Sequence, residues 1–281
     1  MKVHILYLTN KCNLRCPYCY EGQGKTSRKN KVITQKEIYS FLDKIVQDEP
    51  TGSSTLCLMG GEPFLEFKKI KQVFEYCTKL RHEKNKFICI NIISNGTLLH
   101  KYIDDLQFML CSDDNAYMSL DISYDGMNQH VRTPKSDIVQ RNLKLLKDRN
   151  IPFGLSYTIT ENNYKPKVFL TEIITLLEEY YPDIEQNIKN NSRKKIRVNL
   201  ALTNIEKAMQ VDSLNHDKYY SQFNKEFDYI FSKYRIPICD ISCSVCQRCD
   251  KSSFTGRQYC IPGKDSLIEE PMVTANSFNH F

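Results

Sequence analysis

A chain of 281 residues with 41% hydrophobic and 26% charged side chains has an ordinary globular composition and is long enough to bury a sizeable core. Its net charge of +6 is modest and spread out; the densest basic run, Arg193-Lys194-Lys195 with Arg197, suits a solvated surface better than a nucleic-acid footprint. No segment approaches the roughly 18 apolar residues of a membrane span. Met1 to Leu8 is too short and strand-like for a secretory signal, so the cytoplasm is the expected compartment and membrane is excluded as a partner.

Periodicity predicts strands and helices in alternation. Val3 to Leu8 is a short apolar strand, and Ile38, Phe41, Leu42, Ile45 and Val46 then mark one face of a helix. A strand from Thr55 to Met59 precedes a helix carrying Ile70, Val73, Phe74 and Cys77. Phe87 to Ile93 is a strand and Tyr102 to Leu110 a helix; Tyr117 to Tyr124 is a strand and Val139, Leu143 and Leu146 a helix. Phe153 to Ile159 is followed by Leu170, Ile173, Ile174 and Leu177 at helical spacing. Past a polar loop from Asn187 to Ser192, Ile196 to Leu202 is the sixth strand, and Tyr220 to Tyr234 the last amphipathic helix.

Strict alternation argues for an α/β fold with a parallel sheet, and six units are too few for a closed eight-stranded barrel. The expected form is a partial (β/α)6 barrel over residues 1–234, with a small cysteine-rich extension over 235–281.

Twelve cysteines without a secretory signal argue for metal chemistry rather than disulfides. Cys57, Cys77, Cys89 and Cys111 lie in apolar segments and read as small buried hydrophobes. The other eight are clustered at the two ends of the chain.

In parallel α/β folds the chemistry collects at the carboxyl ends of strands, and each of the first four strands here ends in an unusual sequence. The first runs into Cys12, Cys16 and Cys19, spaced C-x3-C-x2-C. Three thiolates leave one position of a cubane cluster open to an exogenous ligand, whereas a zinc loop would borrow a distant fourth ligand. The second ends at Gly60-Gly61-Glu62-Pro63, where paired glycines admit a ligand to the backbone and Glu62 offers a carboxylate to an ammonium group. The third ends at Ser94-Asn95-Gly96-Thr97, a polar turn able to hydrogen-bond ribose hydroxyls, and the fourth at Ser123-Tyr124-Asp125-Gly126 with His130 and Arg132 beyond.

Together these motifs, with the aromatic Tyr18 before the last cysteine, resemble the radical S-adenosylmethionine superfamily over about residues 1 to 180. The resemblance implies that Cys12, Cys16 and Cys19 ligate a [4Fe–4S] cluster. It implies that Gly60, Gly61 and Glu62 meet the methionine amino group of S-adenosylmethionine, that Ser94 and Ser123 lie near its ribose with Asp125 in the same motif, and that Arg132 meets its carboxylate, with Arg141 in reserve. It further implies reductive cleavage to methionine and a 5′-deoxyadenosyl radical, which abstracts hydrogen from a substrate, and an electron donor such as flavodoxin or ferredoxin.

Cys239, Cys243, Cys246, Cys249 and Cys260 follow a C-x3-C-x2-C-x2-C-x10-C spacing. With Gly256 to Gly263 they resemble the auxiliary-cluster (SPASM or twitch) extensions of peptide-modifying members such as anaerobic sulfatase maturases. That implies an auxiliary [4Fe–4S] cluster on four of the five thiolates; structural zinc is the alternative. Asp240 and Asp250 each follow a cysteine, but the resemblance places no catalytic carboxylate. The substrate it implies is a peptide or protein side chain undergoing oxidation or thioether formation, with a small metabolite or nucleoside as the alternative. Because the cluster loop begins at Cys12, a partner protein or the barrel mouth itself is expected to present the peptide. The rival from another class is a non-catalytic zinc-binding interaction protein, which leaves Glu62 and the strand-end motifs without a role.

Overall fold

The computed structural model describes residues 2–19, 32–48, 54–111, 118–180 and 196–200, with a few single positions between 215 and 225. Within them six strands form one parallel sheet: β1 (Lys2–Thr9), β2 (Ser54–Gly60), β3 (Ile88–Ser94), β4 (Met118–Ser123), β5 (Gly154–Ile159) and β6 (Ile196–Leu200). The strand order is sequential, β1 to β6, as in a barrel and unlike a doubly wound sheet. Each connection up to β5 carries a helix: α1 (Gln35–Asp48), α2 (Phe67–Lys84), α3 (Ile103–Cys111), and, between β4 and β5, the short α4 (Gln129–Arg132) and α5 (Ser136–Asp148). α6 (Pro166–Tyr180) follows β5. This is the α/β partial barrel expected. The polar loop at 187–192, most of the helix predicted over 220–234, the boundary at 235 and the cysteine-rich extension lie outside the described residues.

Local signals place the helix ends. Thr34 and Glu37 form a capping box at α1: the Thr34 hydroxyl accepts from the Glu37 amide at 3.2 Å, and Glu37 Oε2 accepts from the Thr34 amide at 2.7 Å. Asn85 ends α2 in the left-handed region at φ 50°, where a short polar side chain is tolerated.

Alternation along the strands gives the sheet two faces. Leu56 and Leu58, Ile90 and Ile92, Leu120 and Ile122, and Leu155 and Ile159 are buried with Ile38, Leu42, Ile70, Val73, Leu143 and Phe169 of the helices in one core. The opposite face is more polar. Register aligns Cys57 with Asn91 and Asn91 with Ser119, then Ser123 with Ser156. Asn91 Nδ2 donates to Asp121 Oδ2 at 3.2 Å, and Ser119 donates to Asn91 Oδ1 at 2.9 Å.

This corrects the expectation that the four scattered cysteines are all buried. Only Cys77 is; Cys57 and Cys89 are half-buried because their parity puts them on the polar face, and Cys111 is exposed at the end of α3. Among the described residues no helix is long and apolar enough to cross a membrane.

Candidate functional site

The cysteine loop leaves β1 and lies across the carboxyl ends of β2, β3 and β4. Its near half is seated on β2. The Gly61 amide donates to the Thr9 carbonyl at 2.9 Å and the Glu62 amide to the Lys11 carbonyl at 2.8 Å. A Cβ on Gly60 would lie 2.2 Å from the Thr9 oxygen, and one on Gly61 would lie 2.1 Å from that of Lys11. The glycine pair thus admits the chain's own cysteine loop, where the sequence reading had a ligand approaching the same backbone.

Asn13 and Asn95 join the loop to β3. Asn95 Nδ2 donates to Asn13 Oδ1 at 2.8 Å and reaches Cys12 Sγ at 3.8 Å, and Asn13 Nδ2 donates to the Thr97 hydroxyl at 2.8 Å. Neither asparagine stands out in the sequence, since Asn95 reads as a turn residue and Asn13 as filler between cysteines.

Glu62 is fully buried. Its Oε1 accepts from the Phe64 amide at 3.0 Å and the Ser94 hydroxyl at 2.9 Å, and its Oε2 accepts from the Asn95 amide at 2.8 Å. Burial pushes this carboxyl up to about 7, against the pull of those three donors. The carboxylate read from the sequence as a partner for an ammonium group is therefore turned inward, tying the end of β2 to the end of β3. Ser94 is engaged as well: besides donating to Glu62, its hydroxyl accepts from the Gly96 amide at 3.0 Å. Ser123 is half-buried at the end of β4, on the polar face.

Asp125 and Arg132 come together just beyond β4. Arg132 gives Nε to Asp125 Oδ2 at 3.1 Å and Nη2 to Oδ1 at 3.3 Å, and Nη2 also meets the Thr158 hydroxyl at 3.2 Å. The Thr158 amide donates to Asp125 Oδ1 at 2.9 Å, and the Tyr18 hydroxyl donates to Oδ2. The guanidinium fork read as a partner for a cofactor carboxylate is thus closed on a protein carboxylate. Arg141, the reserve, is 73% exposed on α5 and pairs with Asp137 one turn before it. His130 is exposed and its ring nitrogen lies 2.9 Å from the Met127 carbonyl.

Cys12, Cys16 and Cys19 share this loop, Cys16 buried and the other two exposed. Burial pushes the Cys16 thiol up to about 11, opposed by the charge of Arg132, and raises that of Cys12. The cysteines of the extension, Cys239, Cys243, Cys246, Cys249 and Cys260, lie outside the described residues.

The chain resembles the sporulation killing factor maturation protein SkfB of Bacillus subtilis, 30% identical over 56% of this chain and 36% of that protein. It resembles the GTP 3′,8-cyclase of Nautilia profundicola at 24% identity over 91% of this chain and 78% of the enzyme. Against three of the curated relatives it matches, the chain spans only 54%, 38% and 36% of their length. The fold matches a structure described as native anSMEcpe with bound AdoMet and Cp18Cys peptide, with a TM-score of 0.57 at 16% identity, over 83% of this chain and 60% of that one. The model of the radical SAM superfamily matches residues 6–171, from β1 to the first turns of α6. Three cysteines on a loop laid across the carboxyl ends of a sequentially ordered parallel sheet agree with that match, and the chain belongs to the radical SAM superfamily.

Proposed function

We propose that this radical SAM enzyme modifies a peptide or protein side chain, by oxidation or thioether formation. Membership of the family implies a [4Fe–4S] cluster and S-adenosylmethionine. The donor set suits a cubane: three free thiols, Cys12, Cys16 and Cys19, share one loop. A cubane spreads its thiolates over separate irons, and three of them leave one iron for a cofactor.

The bound pair supplies a 5′-deoxyadenosyl radical that takes hydrogen from an unactivated C–H bond. The chain's part is to hold and orient. Cys12, Cys16 and Cys19 hold the cluster. Gly60 and Gly61 bring the β2 backbone against the loop, and Glu62 with Ser94 would frame the edge of the cofactor site. Ser123 would hold the ribose. The polar face formed by Asn91, Ser119, Asp121 and Ser156 receives the substrate, and an electron donor such as flavodoxin or ferredoxin supplies reducing equivalents. In the extension, four of Cys239, Cys243, Cys246, Cys249 and Cys260 would hold an auxiliary [4Fe–4S] cluster, which would supply an electron sink or a site for a substrate thiolate.

The peptide reading is supported by the likeness to SkfB, by name the maturation protein of a killing factor. A small nucleotide is the second reading, supported by the GTP 3′,8-cyclase match that runs along 91% of this chain. The single observation that carries the chemistry is the three-cysteine loop seated on Gly60 and Gly61. Anaerobic incubation with S-adenosylmethionine and a reductant is expected to yield 5′-deoxyadenosine. Deuterium transfer into that product from labelled candidate peptides, and none from labelled GTP, supports the peptide reading; the reverse rejects it.

A further inference from the structure

The cysteine loop is held at its two halves by different parts of the sheet. Residues 9–13 are tied to β2 and β3 through Gly61, Glu62, Asn95 and Thr97. The far half, which carries Cys16 and Cys19, is reached from a third side by Tyr18. Its hydroxyl crosses 107 positions of sequence to donate to Asp125 Oδ2. The phenol has one O–H to give, and the carboxylate oxygen can only accept it.

Asp125 is itself almost wholly enclosed, at 1% exposure, and Arg132 is 10% exposed. A buried carboxylate of this kind is stable only when its charge is matched and its lone pairs are used. Arg132 supplies the charge, the Thr158 amide at the end of β5 takes Oδ1 at 2.9 Å, and the Arg132 guanidinium carbon stands 5.3 Å from the Tyr18 ring centre. The loop following Asp125 is braced in turn from α6, where Asn128 donates to Glu172 Oε1 at 3.0 Å and the Tyr157 hydroxyl donates to Glu172 Oε2. The acceptor offered to Tyr18 therefore sits on a hydrogen-bonded frame spanning the ends of β4 and β5.

We propose that Asp125 and Arg132 are positioning residues for the iron–sulfur loop: through the Tyr18 hydroxyl they clamp its far half, so that Cys16 and Cys19 are pre-oriented before a cluster arrives. The inference rests on the reading of the three cysteines as cluster ligands, but the clamp is a property of the chain alone. It gives Asp125 and Arg132 a part on the protein side of the site, where the sequence reading set Arg132 against the cofactor carboxylate and Asp125 in the ribose motif.

The test is Tyr18→Phe, which removes one oxygen and leaves Asp125 with Arg132 and Thr158. In the cluster-free full-length chain, amide hydrogen exchange over residues 14–19 is expected to speed up about tenfold or more, the size of a lost hydrogen bond to a charged acceptor. Exchange in β1 to β5 should be unchanged. In the reconstituted protein, iron loss to a chelator should accelerate by a similar factor. In an Asp125→Asn background, Tyr18→Phe should add little, because the two act through one bond. Wild-type exchange and wild-type iron loss in Tyr18→Phe would overturn the clamp, as would loosening spread evenly over the sheet. Should Asp125→Asn fail to fold, the exchange pattern of Tyr18→Phe decides alone. Failure of the wild-type protein to form 5′-deoxyadenosine would count against the enzymatic reading and leave the exchange result standing.

Discussion

Replacing Gly61 with Ala should release the cysteine loop from the sheet. The added Cβ would fall 2.1 Å from the Lys11 carbonyl oxygen, 2.4 Å from its carbon and 2.8 Å from the Cys12 amide nitrogen. All three are backbone atoms, and ordinary contact needs about 3.5 Å, so the two segments must separate by more than about 1 Å. Hydrogen bonds of 2.9 Å from Gly61 to Thr9 and 2.8 Å from Glu62 to Lys11 do not survive that separation. At about 1 kcal/mol net for each, the cluster-free protein loses about 2 kcal/mol. For a chain of this size the melting temperature falls by roughly 4–8 °C. Cluster binding suffers more, because Cys12 adjoins the displaced carbonyl. Iron retained after anaerobic reconstitution should drop well below the wild-type content. Gly126→Ala is the control: its Cβ meets nothing closer than 3.8 Å, from Leu176, so only its φ of 56° is strained. That costs roughly 1–2 kcal/mol without pushing on Lys11 or Cys12, so iron content should fall less than in Gly61→Ala. A Gly61→Ala protein that loads iron fully and melts with the wild type would refute the steric argument.

Cys12→Ala, Cys16→Ala and Cys19→Ala should each abolish 5′-deoxyadenosine formation; wild-type-like turnover by any one of them contradicts the ligand assignment. Asn95→Leu removes the amide that reaches Cys12 Sγ at 3.8 Å and should lower the cluster midpoint potential by roughly 20–60 mV, read by anaerobic redox titration, where an unchanged potential argues against that bond. Because Glu62 is pushed up from an ordinary value of 4.5 to about 7, the folded form binds its proton more tightly than the unfolded form. Its contribution to stability is fully present below about pH 4.5 and is lost as pH rises through about 7, by about 3 kcal/mol in all. Urea unfolding at pH 4 and pH 8 should therefore show Glu62→Gln gaining on the wild type as pH rises, and equal differences at the two pH values would exclude this titration. If the extension holds a cubane, reconstituted protein should contain about eight irons per chain, whereas about four with one zinc favours structural zinc.

Much of this architecture is written locally. Five helices from α1 to α6 were expected from apolar positions three and four apart, and the strands from short apolar runs, because burial against one sheet imposes those periods directly on neighbouring residues. The C-x3-C-x2-C spacing is equally local, since one loop carries all three thiols. Boundaries slipped where a turn of another kind intervened. The helix expected to begin at Tyr102 is preceded by a 3₁₀ turn from Leu99 to Tyr102, and α3 starts at Ile103.

What each strand-end motif touches was not legible in this way, because it depends on the order and register of the sheet. Parity alone exposes Cys57 and Cys89 to the polar face, but which face is polar is decided by Asn91, Asp121 and Ser156 coming together from β3, β4 and β5. Gly60 and Gly61 read as room for a ligand; only parallel pairing of β1 with β2 brings Thr9 and Lys11 into that room. Glu62 read as a lone carboxylate until β3 set Ser94 and Asn95 against it. Asp125 and Arg132 stand seven positions apart, yet their pairing matters because Tyr18 meets them from the far end of the chain's first loop. A sequence spells out the period of each element, since period is a property of neighbours. Which donor meets which acceptor across a hundred residues is settled only when the strands take their places.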